Sequence, residues 1–293
     1  MDLNYDYPLY RPPSEANSMI FQVTLGCSFN KCSFCNMYRT KSYSERPWDE
    51  IQMEIDLSSK FYPETKRVFL ADGDALNLSV DRLIQIIEYI YKKFPSLERV
   101  SSYAMPKNLL QKTDTDLKKL KNAGLNMLYV GIESGNDIVL RKVTKGATFK
   151  TIVESCNKAI NNGFILSCMV ILGLGGTTYS KKHILDTAKV LGEISPNYVG
   201  ALNLQLEDGV YEEFMTKYEE PFTFLNDSQI LDELELLVSN IHPKRNIIFR
   251  ANHASNVYSV KGTLPQDKEK IVSLIKNLRG HPEMLKPKIL RRF

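Results

Sequence analysis

Short β-rich runs alternate along this chain with longer amphipathic ones, and that alternation restricts the fold more than any other feature. Strands are expected at 20–24, 67–70, 99–103, 127–130, 165–172 and 198–203. Helical patterns fill the gaps at 48–60, 80–93, 114–123, 149–161 and 181–193. Ser79 is placed to cap the second helix, and Gly124 and Gly163 follow the third and fourth as stops. A strand roughly every 30–45 residues, each followed by a helix, predicts an α/β fold: a parallel sheet wound by right-handed crossovers. In such folds the C-terminal strand ends form the active face.

After about residue 205 the pattern loosens. Helices at 227–240 and 266–278 flank a short strand at 246–250 and a loop at 251–262. No linker or internal repeat interrupts the chain. A single domain over 1–293 is therefore expected, with a core of about 18–209 and an extension of about 210–293 that closes a partial barrel.

Hydrophobic residues make up 43% and charged residues 25%, the balance of a soluble globular protein, and the net charge is +4. No dense run of Lys or Arg asks for nucleic acid or a membrane as partner. The basic stretch 286–292 reads as a solvated tail. The N-terminus lacks a positive region followed by an apolar core, and no apolar run approaches the roughly 20 residues that cross a bilayer. A cytoplasmic protein is expected.

Five cysteines in such a chain point to metal or catalysis rather than disulfides. Cys27, Cys32 and Cys35 form a C-x4-C-x2-C loop directly after the first strand. Three thiolates can hold three irons of a cubane cluster and leave the fourth open. A fourth thiolate would favour a closed cluster or a structural zinc. Cys156 falls mid-helix and Cys168 inside a buried strand, so both read as small core residues. His183, His242, His253 and His281 form no clear fourth-ligand pattern, and zinc stays the weaker alternative.

The loop resembles that of the radical S-adenosylmethionine (SAM) superfamily, whose usual spacing is C-x3-C-x2-C with an aromatic residue before the last cysteine. Phe34 fills that aromatic place, while the x4 gap departs from the common spacing and marks a branch. Three further stretches resemble the superfamily in order. Ala71-Asp72-Gly73-Asp74-Ala75 stands where a motif receives the methionyl ammonium, a task for Asp72, Gly73 and Asp74. In Gly131-Ile132-Glu133-Ser134-Gly135, Glu133 and Ser134 stand where ribose or the methionyl end is contacted, and Arg141 or Lys145 is implied as partner of the methionyl carboxylate. Leu172 and Gly173 close the strand that supports adenine. The resemblance spans 20–209 and implies a partial (β/α)6 barrel, a 4Fe–4S cluster and SAM as cofactors. It also implies a flavodoxin or ferredoxin as electron donor, and a 5′-deoxyadenosyl radical that takes hydrogen from a small-molecule substrate.

For that substrate, Ser102, Tyr103 and Met105 end the third strand, and Asn252, His253 and Asn256 sit in a polar loop after a later one. His253 and Tyr103 are the candidates for a catalytic role. The competing reading of the later loop is a polar segment that caps itself. Tyr5, Tyr7 and Tyr10 read as a surface strap packed by its rings, or else a cover on the cavity. The compact make-up is similar to a branch that includes queuine lyases, which implies a C–N bond cleavage releasing an aminomethyl-deazaguanine. Glu50, Glu54, Glu207 or Asp208 would then face the guanine-like edge. A porphyrin or RNA substrate is the alternative within the superfamily, and an iron–sulfur sensor or electron carrier is the alternative outside catalysis.

Overall fold

A computed structural model of the chain describes residues 5–291. Its strands are β1 (Met19–Gln22), β2 (Thr24–Leu25), β3 (Ser44–Glu45), β4 (Arg67–Ala71), β5 (Arg99–Ala104), β6 (Leu125–Glu133), β7 (Ile165–Leu172), β8 (Tyr198–Asn203), β9 (Ile247–Ala251) and β10 (Val260–Leu264). Its helices are α1 (Trp48–Phe61), α2 (Val80–Lys93), α3 (Pro106–Gln111), α4 (Asp114–Ala123), α5 (Asp137–Lys142), α6 (Phe149–Asn161), α7 (Gly176–Ile194), α8 (Asp208–Tyr218), α9 (Asp227–Asn240) and α10 (Lys268–Arg279). Eight strands make one sheet in the order β1-β4-β5-β6-β7-β8-β9-β10, and β2 and β3 make a separate antiparallel ribbon. Pairing is parallel from β1 to β6 and from β7 to β9, as the crossover pattern predicts, and antiparallel between β9 and β10. Among the described residues no helix is long and apolar enough to cross a membrane.

By internal contacts the described residues divide into two compact units, one of 5–30, 35–130 and 157–166, the other of 31–34, 131–156 and 167–291. In the first, α2 shows why the sequence folds as read. Ser79 accepts a hydrogen bond from the Arg82 N–H, and Leu83, Ile86, Ile87 and Ile90 repeat at helical spacing and are all buried. Burying each stabilises by about 2 kcal/mol before the entropy of ordering is subtracted. Helix α4 begins on a Thr113–Asp116 capping box and ends at Gly124 with φ +113°. A Cβ there would lie 2.1 Å from the Tyr91 ring, so only glycine fits.

The N-terminal segment runs along β1, the outermost strand. Tyr5 Oη donates to the Ile20 carbonyl at 3.0 Å, and Asp6 and Gln22 exchange two hydrogen bonds at 2.9 and 2.8 Å. One of these bonds reaches the backbone of the edge strand, and the other two hold the Gln22 side chain. Further along, the buried Glu15 accepts from Arg99 at 2.7 Å and from Tyr129 Oη at 2.6 Å. Tyr10 packs edge-on against Tyr38, while Tyr7 is exposed.

In the second unit β7 and β8 pair over six residues. Helix α9 sends Ile230, Leu231, Leu234, Leu237 and Val238 into the core, and Arg279 of α10 pairs with Asp232 of α9 at 2.7 Å. Several boundaries differ from the expected ones. Helix α7 starts at Gly176, five residues before the expected 181, because Gly173 and Gly176 turn the chain at φ +81° and +55° and the helix begins at once. The expected loop 251–262 contains the start of β10, whose Val-Lys-Gly-Thr-Leu carries too little apolar alternation to read as a strand. Helices α3, α5 and α8 were not anticipated; the first two span six residues each, too short for a periodic signal.

Candidate active site

The cysteine loop leaves β2, which the β2–β3 ribbon pins through the pairs Thr24–Glu45 and Leu25–Ser44. Gly26 turns the chain at φ +67°, and Cys27, Cys32 and Cys35 follow, all half-buried. Ser33, fully buried, donates its N–H to the Val143 carbonyl at 3.0 Å. Phe34 packs against a cluster that includes Val139, Val143, Ile171 and Leu174. Among the described residues no three His, Cys, Asp or Glu side chains converge on a single-ion site. Three thiolates are the donor set of a cubane with one open iron, whereas a structural zinc takes four ligands. Cys156 and Cys168 are fully buried, and the Cys156 thiol together with burial pushes the Cys168 thiol up, as expected of core cysteines.

Asp72 and Asp74 stand just past the C-terminal end of β4, and the structure gives them different work. Asp72 Oδ2 accepts from Lys41 Nζ at 2.9 Å and from the Gly26 N–H at 3.2 Å. Lys41 also holds Asp6, through Oδ1 at 2.9 Å and the carbonyl at 2.6 Å. Asp74 accepts a hydrogen bond from the Ser28 hydroxyl, and burial pushes its carboxyl up to about 6. The second oxygen of each carboxylate is buried and makes no hydrogen bond of normal geometry, with the Tyr38 hydroxyl facing Asp72 and the Asn108 amide facing Asp74. A buried acceptor so poorly partnered is costly, and a ligand ammonium would satisfy it. Gly73 between them has to be glycine, since a Cβ would lie 2.4 Å from the Tyr38 ring.

In the second unit Glu133 ends β6 at φ +65° and pairs with Lys145 at 2.9 Å. Both lie over Gly131, where a Cβ would come within 2.0 Å of Glu133 Oε1. Lys145 Nζ also sits 6.0 Å from the centre of the Phe34 ring, whereas Arg141 is exposed on α5. Ser134 is occupied internally: its hydroxyl lies 2.7 Å from His183 Nδ1 and accepts from the Asn136 N–H at 3.0 Å. Burial pushes His183 down to about 4, so the ring is neutral. Its Nε2–H then donates to the Ile171 carbonyl at 3.0 Å, and Nδ1 accepts from Ser134. Leu172 is fully buried, and the Gly173 N–H donates to Glu233 Oε2 at 2.6 Å. Glu233 on α9 is 2% exposed, and burial pushes it up to about 7.

Neither His183 nor Glu233 was anticipated. The available signal for Glu233 was a carboxylate within the apolar stripe Ile230, Leu234 and Leu237; for His183 it was an imidazole on the buried face of α7.

The expected substrate residues are partly engaged in holding the fold. Ser102 donates to the Tyr103 carbonyl at 2.8 Å, and the Tyr103 ring lies edge-on to Phe69 at 5.0 Å, its phenol raised by burial. Met105 begins α3, its N–H donating to Asn108 Oδ1 at 2.9 Å. In the polar loop after β9, Asn256 donates to the Ala201 carbonyl at 3.0 Å and to Asn203 Oδ1 at 3.2 Å. Ser255 Oγ accepts from the Asn203 N–H at 3.1 Å and lies 2.9 Å from His253 Nδ1. Asn252, His253 and Asn256 nevertheless line a cleft of about 230 Å³ together with Tyr258 and Lys286. Burial and the nearby Lys286 charge lower His253, so its imidazole is neutral at pH 7. Of the carboxylates expected to face a guanine-like edge, Glu50 and Glu54 both bind Arg46, and Glu207 and Asp208 are exposed at the start of α8.

A family model described as the Radical SAM superfamily matches residues 21–189. The heme chaperone HemW of Bacillus subtilis (strain 168) is 26% identical over 165 residues, covering 54% of this chain and 43% of its own length. The 4′-phospho-dehydrooxetanocin synthase of Priestia megaterium is 22% identical over 297 residues, covering 91% of this chain and 37% of that protein. The chain thus spans less than half the length of these two relatives. Among solved structures, coproporphyrinogen III oxidase (HemN) from Escherichia coli superimposes with a TM-score of 0.57 at 17% identity, covering 76% of this chain and 51% of that one. Methylornithine synthase (PylB) gives 0.53 at 15% identity, covering 89% and 81%. These two likenesses speak to the fold.

Proposed function

The chain belongs to the radical SAM superfamily, whose cofactors are a 4Fe–4S cluster and S-adenosylmethionine, and from that premise we propose that Cys27, Cys32 and Cys35 hold the cluster here. One observation carries the assignment: the N–H of Gly26, the residue before Cys27, is hydrogen-bonded to Asp72, so the cysteine loop and the Asp72–Asp74 motif are one construction. Bound together, the cluster and SAM supply one-electron cleavage of a C–S bond and hydrogen-atom abstraction. The protein's own part is binding, orientation and exclusion of water.

In this reading Asp74, held by Ser28 and with one oxygen poorly hydrogen-bonded, receives the methionyl ammonium, while Asp72 positions the loop. Glu133 and Lys145 serve the ribose and methionyl carboxylate, Ser134 braces them through His183, and Leu172 and Gly173 form the shelf for adenine. Phe34 packs beneath the loop. The substrate is a small molecule contacted by Ser102, Tyr103 and Met105 and by Asn252, His253 and Asn256. Queuine is the substrate proposed, with cleavage of the C–N bond beside its cyclopentenediol in a lyase reaction. The amides and imidazole of the polar loop suit a diol, and a flavodoxin or ferredoxin supplies the electron.

The test is anaerobic incubation of the reconstituted protein with SAM, dithionite and queuine. Release of 5′-deoxyadenosine together with a queuine-derived deazaguanine is expected. Cleavage of SAM with no queuine-dependent product would remove the substrate assignment and leave the chemistry; a porphyrin, suggested by the names of HemW and HemN, is then the next substrate to try. Reversible cluster reduction with no 5′-deoxyadenosine at all would point to an electron carrier or sensor.

A further inference from the structure

The gap between Cys27 and Cys32 holds four residues, Ser28, Phe29, Asn30 and Lys31, and one of them has an unusual backbone. Asn30 lies at φ +42°, in the left-handed region that asparagine tolerates better than other side-chain-bearing residues. Its side-chain amide donates to the Tyr38 carbonyl at 2.8 Å. From the other direction, Arg39 donates through Nη1 to the Asn30 carbonyl at 2.9 Å and through Nε to the Cys35 carbonyl at 3.0 Å. The guanidinium therefore ties together the two points at which the Lys31–Phe34 excursion leaves and returns. Its footing is firm: Tyr38 is 4% exposed, with its ring against Gly73.

We propose that Asn30 and Arg39 form a reciprocal clamp that absorbs the extra residue of the C-x4-C spacing, and that Arg39 is a positioning residue for the cluster. Two physical effects follow. The planar fork fixes the span between Asn30 and Cys35, which a point charge on a flexible stem cannot do. A fixed positive charge beside a ligand cysteine also favours the cluster's reduced, more negative state, because local charge and hydrogen bonding set the potential of such clusters. The inference rests on the proposed cluster ligands Cys27, Cys32 and Cys35, so iron binding by the parent protein is its control, and it does not depend on the identity of the substrate.

Three variants separate geometry from charge: Arg39→Met, Arg39→Lys and Asn30→Gly. Each is read by iron bound per chain after anaerobic reconstitution, by the midpoint potential from an EPR-monitored redox titration, and by the melting temperature of the apoprotein. Arg39→Met should bind several-fold less iron, and its remaining cluster should titrate at a more negative potential. Arg39→Lys should lose iron while keeping a potential close to that of the parent. Asn30→Gly, which keeps the backbone conformation and loses the amide, should lose less iron than Arg39→Met. Parental iron content and potential in Arg39→Met would overturn the proposal. If that variant does not yield a folded apoprotein, Arg39→Lys decides: iron loss at an unchanged apoprotein melting temperature supports the clamp, and unchanged iron content overturns it.

Discussion

Lys41 illustrates how much of the candidate site is settled by single side chains. Its ammonium is 5% exposed and faces two aspartates, one of them fully buried. Removing it as Lys41→Met leaves Asp72 without its counter-charge in a site that burial already disfavours for a carboxylate. Breaking a buried pair in this way typically destabilises by about 3–5 kcal/mol, and protonation of the stranded carboxyl reduces that loss. The measurement is denaturant unfolding of the apoprotein. Adding Asp72→Asn should recover more than half of the loss; a double variant as unstable as the single one would show that Lys41 acts through Asp6 instead. At this scale the sequence singled out Asp72 and Asp74 as a pair. It could not divide their roles, because the partner that commits Asp72 lies 31 residues away and no local pattern announces it.

Among the elements, α9 is tied to the end of β7 by one buried carboxylate. Glu233 accepts from the Gly173 N–H, and the Ser180 hydroxyl also faces its carboxylate. Burial pushes its folded pKa up to about 7 from an ordinary value of 4.5. Between those values the folded state holds a proton that the unfolded state has released, so this group's contribution to stability falls as pH rises. The span corresponds to an upper bound of about 3–4 kcal/mol. Glu233→Gln removes the titration and keeps an acceptor for Gly173. The melting temperature of the parent apoprotein should therefore fall from pH 5 to pH 8 relative to the variant, and parallel curves would refute the assignment. Element positions were largely legible. Helices α2, α4, α6 and α9 and strands β7 and β8 match their expected ranges because each carries a full periodic face. The early start of α7 was not legible, since a Gly-rich run signals a turn and does not reveal that a helix follows at once.

For the molecule as a whole, the N-terminal segment is structural in the unit it belongs to. Deleting residues 1–17 would take Tyr5 from the Ile20 carbonyl of the edge strand β1, Glu15 from Arg99 and Tyr129, and Asp6 from Gln22 and Lys41. The expected result is concentration-dependent association on size-exclusion chromatography and a lower melting temperature; a monomer with parental stability would contradict it. The sequence by itself determined the superfamily and the parallel α/β sheet, and it singled out the three cysteines proposed as cluster ligands. Those rest on covalent spacing and on short-range periodicity, which survive translation into a fold whatever the distant contacts. Only the tertiary structure decided that Asp72 braces the cysteine loop while Asp74 is held by Ser28, that Ser134 is held by His183, and that Arg39 closes the x4 gap. Each of these is a choice of hydrogen-bond partner, made under burial between residues brought together by the fold. Burial and partner identity are set by the packed chain, not by any segment of it.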